Sequence, residues 1–165
     1  MILAREMVQS YQAEGVLPAA QSALLDIHVL DNILAKSSSG DYITLQAYVQ
    51  PTAVTSAVLD ALRLALRDKT RLATTLGYGL RFLYSTGQLR KGDGGNGLII
   101  QFVSNNLEDI PILDEAGASI SSINFGVLKS AQALGDAQAL RDADRRVFRF
   151  RIDGDPAAAI RGLIE

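Results

Sequence analysis

From Tyr42 to Val49 the apolar residues Ile43, Leu45, Ala47 and Val49 alternate with Tyr42, Thr44, Gln46 and Tyr48. A repeat of two is the period of a strand, so the pattern predicts one here, ended by Pro51. Thr52 is placed to cap a helix, and the period then changes. Val54, Val58, Leu59, Leu62 and Leu66 keep to one side, while Ser56, Asp60, Arg63 and Arg67 take the other. That spacing predicts an amphipathic helix lying on a sheet. With a further apolar strand starting near Leu72, the three pieces make a complete βαβ unit.

The stretch from Leu72 to Phe102 organises the rest. It starts as a strand, turns through Gly77 and Gly79, and crosses an amphipathic segment carrying Ser85, Thr86, Gln88 and Lys91. A second glycine cluster (Gly92, Gly94, Gly95, Gly97) leads into the apolar strand Leu98 to Val103. Parallel sheets bind ligands outside the carboxyl ends of their strands, which makes residues 77–97 the candidate site.

Upstream, residues 2–14 have helical composition and stop at Gly15, and a second helix is expected from Leu17 to Lys36, broken by Ser37 to Gly40. Downstream, Ser104 to Ser122 is expected as a long polar excursion over the surface. A helix is expected from Asn124 to Arg141, with Phe125, Leu128 and Ala131 on one face. Residues 146–152 alternate again, and charge at Arg149 and Arg151 suits an exposed or edge strand. Asp155 followed by Pro156 is a strong helix start. Four strands alternating with helices predict an α/β fold, a three-layer sandwich with a parallel sheet. Residues 1–40 are expected as a helical segment packing on a domain that occupies 41–165.

Composition narrows the chemistry. The chain has 165 residues, 48% hydrophobic and 21% charged, with a net charge of −2, an ordinary balance for a single globular domain. No basic excess suggests nucleic acid, and no apolar run suggests a membrane span. There is no cysteine, so thiol catalysis and disulfides are excluded and the cytoplasm is the expected compartment. The amino terminus, with Arg5 and Glu6, lacks the apolar core of a signal peptide.

The glycines fit neither nucleotide fingerprint. Gly77-x-Gly79 lacks the third glycine, and Gly92 to Gly97 precedes a strand rather than a helix. Ser85, Thr86, Gln88 and Lys91 together offer hydroxyls, an amide and an ammonium, which suit a polyol phosphate, but such short runs are common on surfaces and by themselves read as a solvated helix face. His28, in an apolar helical context, reads as a packed residue and not as a metal ligand. Asp60 and Asp68 read as solvated charges, and Asp142 to Arg146 as a charged turn. Tyr42 and Tyr48 suit either a site wall or packing under a helix.

The segment LATTLGYGLRFLYSTGQLRKG at 72–92 resembles the carboxyl-terminal region of the isomerase half of bifunctional transaldolase/phosphoglucose isomerase proteins. GDYITLQAYV, GLIIQFV, FGVLKSAQALGDAQAL and RVFRFRIDGDPAAAIRGLIE follow in the family's order, so the resemblance covers roughly residues 40–165. It implies a sugar isomerase (SIS) fold and aldose–ketose isomerisation of glucose 6-phosphate and fructose 6-phosphate, without metal or organic cofactor. It further implies Lys91, Gln88 and position 84 as catalytic positions, with Ser85, Thr86, Gly77 and Gly79 binding substrate. This sequence departs from the pattern at Tyr84 and Arg90, where the family has histidines. Tyrosine, with a pKa of about 10, is a poor proton shuttle at neutral pH. The family's isomerase has two SIS domains and this chain has room for one, so the resemblance implies a partner: a separate transaldolase/isomerase chain or a second copy in a homodimer. The alternative it leaves open is a non-catalytic SIS module that binds a sugar phosphate or supports assembly.

Overall fold

The computed structural model describes residues 2–19, 21–79, 85–105 and 108–164. Its elements are α1 (Ile2–Glu14), β1 (Ala23–Leu24), α2 (Ile27–Leu34), β2 (Tyr42–Tyr48), α3 (Ala53–Thr70), β3 (Ala73–Tyr78) and α4 (Ser85–Lys91). They continue with β4 (Gly97–Ser104), β5 (Pro111–Ile112), β6 (Ile123–Asn124), α5 (Phe125–Asp142), β7 (Arg146–Ile152) and α6 (Pro156–Arg161). β1, β7, β4, β2 and β3 form, in that order, a five-stranded sheet whose pairings are all parallel. Helices flank it, giving the expected three-layer α/β sandwich.

The two faces of the sheet differ in chemistry. One face carries Ile43, Leu45, Ala47, Leu98, Ile100, Phe102, Phe150 and Ile152, which pack with α2, α3 and α6 through residues such as Leu30, Leu59, Leu62 and Ile160. This is a dry apolar core, and it supplies the main driving force for folding. The other face carries Thr44, Gln46, Tyr48, Thr75, Gln101 and Arg149, placed together by the strand register. α5 covers that polar face. α1 lies in turn on α5, so α5 is buried on two sides and is built from Ala131, Ala133, Gly135, Ala137 and Leu140. At Gly135 the helices touch: a Cβ there would meet the backbone nitrogen of Ala4 at 2.7 Å. Gln12 of α1 also donates to the Ser122 hydroxyl at 2.8 Å.

Helix starts follow the sequence signals closely. Thr52 caps α3 by accepting from the Thr55 amide, Asn124 caps α5 by accepting from the Val127 amide, and Asp155 caps α6 with Pro156 in its first turn.

Several expectations are corrected. The helix expected over 17–36 is instead a two-residue strand, β1, and the shorter helix α2. The reason is Asp26, whose carboxylate accepts from the His28 and Val29 amides and sets a late start. Residues 1–40 are thus not wholly helical. His28, expected to be packed, is exposed in the first turn of α2. β7 is not an edge strand, because β1 pairs with it at Phe150 and Arg151. The excursion after Ser104 contains an antiparallel ribbon, β5 with β6. Of Phe125, Leu128 and Ala131, expected on one face of their helix, Phe125 is exposed and Ala131 is buried.

Asp41 ties the start of β2 to β7. Arg146 donates to both its oxygens, at 3.1 and 2.9 Å, and this contact, first among its surroundings, holds the Asp41 carboxyl below the usual carboxylate range. A depressed carboxylate stabilises the fold above its ordinary pKa and loses that contribution as the pH falls through the lowered native value. Asp41→Asn is therefore expected to lower stability at pH 7 by about 1 kcal/mol in urea titrations. The gap from wild type should close as the pH drops below about 3; a gap constant with pH would contradict the role of the charge.

Candidate functional site

α4 ends where the two glutamines and the aspartate of the polar face begin. Gln101 on β4 donates to Gln46 on β2 at 3.2 Å, and Gln46 donates to the Asp136 carboxylate on α5 at 3.2 Å. All three are buried. The second oxygen of Asp136 faces Lys91, with Nζ at 3.3 Å. The Lys91 side chain is 22% exposed and that of Asp136 is 1% exposed. Asp136 is thus a hidden anchor, and the ammonium it holds is the part that reaches accessible space.

That space is a cavity of about 550 Å³ between α1, α4 and α5. Gln88, Lys91, Gln132 and Asp136 supply its polar groups, Arg5 adds a second cation, and Leu3, Val8, Ile123 and Leu128 supply apolar wall. Its volume falls within the range of small-molecule sites. The Asp136 carboxylate is turned inward, so the groups presented to the cavity are cations and amides. Such a lining suits an anionic, hydroxyl-rich ligand.

A clamp fixes the end of α4. Arg145 donates to the carbonyl oxygens of Arg90, Lys91 and Asp93 at 3.1, 2.8 and 2.7 Å and pairs with the Asp93 carboxylate at 2.9 Å. The charged turn expected at 142–146 is therefore a structural staple that fixes where Lys91 starts. The Tyr42 hydroxyl donates to the same Asp93 carboxylate, and the phenol is pushed up to about 12, by burial first and by Asp93 second. Arg90 is 5% exposed and donates to Thr75 at 3.3 Å; burial lowers its pKa. Tyr48 is buried beneath α5, and burial, followed by the nearby Asp136 charge, raises its phenol strongly.

Of the candidate residues, Gln88 and Lys91 meet at the cavity. Gly77 lies in β3 beside Gln46, and Gly79 lies against the Tyr48 ring; neither lines the cavity. Ser85 and Thr86 open α4. Tyr84 lies outside the described residues. The cavity sits in the helical layer, whereas residues 77–97 were expected to face the carboxyl ends of the strands. Asp136 and Gln132 escaped the sequence reading, although a lone carboxylate within the run Ala131 to Ala139, otherwise alanine, glutamine, leucine and glycine, was a usable signal.

No family model and no curated protein matches the chain. Its fold is similar to that of a solved structure. The crystal structure of hypothetical protein TT0462 from Thermus thermophilus superposes with a TM-score of 0.62 at 16% identity. The match covers 84% of this chain and 35% of that one, so this chain spans about a third of the length of its structural neighbour. At that identity the likeness shows the α/β fold alone. Among the described residues no helix is long and apolar enough to cross a membrane, and no group of three or more histidines or carboxylates is placed to hold a metal ion.

Proposed function

We propose that the chain is a sugar-phosphate domain of the phosphoglucose isomerase kind, supplying part of an active site that a second domain, a separate chain or another copy completes. The observation that carries this reading is the convergence of Lys91 and Gln88 on one cavity, with Lys91 held from behind by buried Asp136. Aldose–ketose isomerisation removes the C2 proton of the open-chain aldose, places negative charge on the carbonyl oxygen O1 of the enediolate, passes the O2 proton to O1 and returns a proton to C1, leaving the ketone at C2. An ammonium fixed beside that oxygen stabilises the charge as it forms, and an amide such as Gln88 orients the hydroxyls. The base belongs to the completing partner, since Asp136 is too deeply buried to reach substrate past Lys91.

One observation favours a binding-only module. Arg90, at the position of a family histidine, is committed to Thr75 inside the fold and is not available for proton transfer. A coupled assay for fructose 6-phosphate isomerisation separates the readings. The isomerase reading expects no turnover by the chain alone and turnover once a completing first domain is added, reduced at least tenfold by Lys91→Ala. Absence of turnover in both conditions, with fructose 6-phosphate still raising the melting temperature, would leave the binding module.

A further inference from the structure

The polar face of the sheet holds a second group of cations, away from the cavity. Register puts Gln46, Gln101 and Arg149 in one row across β2, β4 and β7. Gln101 donates to Gln46, and Gln46 donates to Asp136. Arg149 is different: among the described residues its Nε and Nη1, both buried, have no hydrogen-bond partner. The other arginines of β7 each have a carboxylate, Asp41 for Arg146 and Asp153 for Arg151. No described carboxylate pairs with Arg149. The charge that acts on it most is another cation, Arg141 from the last turn of α5. Burial first, and Arg141 second, push the Arg149 guanidinium down to about 10, so it remains charged at neutral pH.

Arg149 is half-buried, and removing part of a charge from water without a counter-charge is unfavourable, a cost that a bound anion would offset. Beside Arg149 lies a recess of about 320 Å³, lined by Arg141 and Arg149 together with Gln21, Ser22, Val147 and Phe148. Among the described residues no acidic side chain lines it. We propose that this recess binds a phosphate group, inorganic or as a monoester, between Arg141 and Arg149, with Ser22 and Gln21 as further donors. Planar guanidinium forks match tetrahedral oxyanions through paired hydrogen bonds. The site is independent of the sugar-phosphate reading of the α4 cavity, with which it shares no lining residue.

The test is a titration of the full chain with inorganic phosphate, with sodium chloride holding ionic strength constant, followed by calorimetry and by melting temperature. A saturable rise is expected, roughly 8 °C at a hundred times Kd. Arg141→Ala, outside the apolar core, should keep the fold and weaken phosphate at least tenfold; Arg149→Lys, which keeps the charge and loses the fork, should also weaken it. Lys69→Ala, which removes an exposed cation of α3 paired with Asp31, should leave phosphate binding unchanged. Glucose 6-phosphate as a second titrant separates the sources: tighter binding than inorganic phosphate at the Arg141-dependent site assigns a monoester, and equal or weaker binding assigns the free ion. The proposal is overturned if phosphate does no more than chloride, if Arg141→Ala binds it as wild type does, or if Lys69→Ala weakens it as much as Arg141→Ala does.

Discussion

Asp136→Ala is expected to lower stability by roughly 3 kcal/mol, because it strands a cation and an amide that are both committed to that carboxylate. For a chain of this length the loss corresponds to a fall in melting temperature of roughly 9 °C. The Gln46 amide, fully beneath α5, would lose its acceptor, and Lys91 would lose its ion pair. Removing both charged partners, as in Lys91→Met with Asp136→Leu, should cost less than the sum of the single changes, since no unpaired charge remains. Urea unfolding of the four species of that cycle measures the coupling. A cost under about 1 kcal/mol for Asp136→Ala, or strict additivity, would mean that the pair is a surface contact of little consequence.

Gly79→Ala should be about as damaging, for a steric reason. A Cβ at Gly79 would stand 2.2 Å from Cδ1 and Cε1 of Tyr48, and Tyr48 is 2% exposed, so the ring has no room to retreat. Overpacking of this severity costs about 3 kcal/mol. The cost should shrink in a Tyr48→Leu background, where the ring that collides is absent. Wild-type stability in the Gly79→Ala variant would show instead that the Tyr48 ring can move aside. The same contact decides what the glycine is for: it allows the chain end of β3 to approach a buried ring, and ligand approach is not needed to explain it.

Much of the fold was legible because local and global signals agree in it. The alternation from Ile43 to Val49, the caps at Thr52 and Asp155, and the apolar run after Gly97 each specify an element without help from the rest of the chain. Where the sequence reading failed, the determining contact is distant. α5 was expected as a helix, but not its packing on both sides, and only the contact of Gly135 with Ala4 explains why it must be small there. β1 is two residues long and exists because β7 offers it an edge. The row of Gln46, Gln101 and Arg149 across three strands depends on strand register, which residues on separate strands do not announce.

The candidate site was legible by half. Gln88 and Lys91 stand at helical spacing in a short polar segment, and the structure brings both to one cavity. The anchor of Lys91 is Asp136, on a different helix, and nothing in the spacing of residues 77–97 points to it. Arg145, which fixes the carbonyls at the end of α4, was hidden in what reads as an ordinary charged turn.

The most direct measurement is calorimetric titration of fructose 6-phosphate into the full chain carrying Arg141→Ala, which silences the second cation group, compared with the same chain also carrying Lys91→Ala. A sugar-phosphate cavity built on Lys91 and Gln88 predicts saturable binding in the first and at least a tenfold loss in the second. Equal affinity in both, or no heat in either, would contradict it.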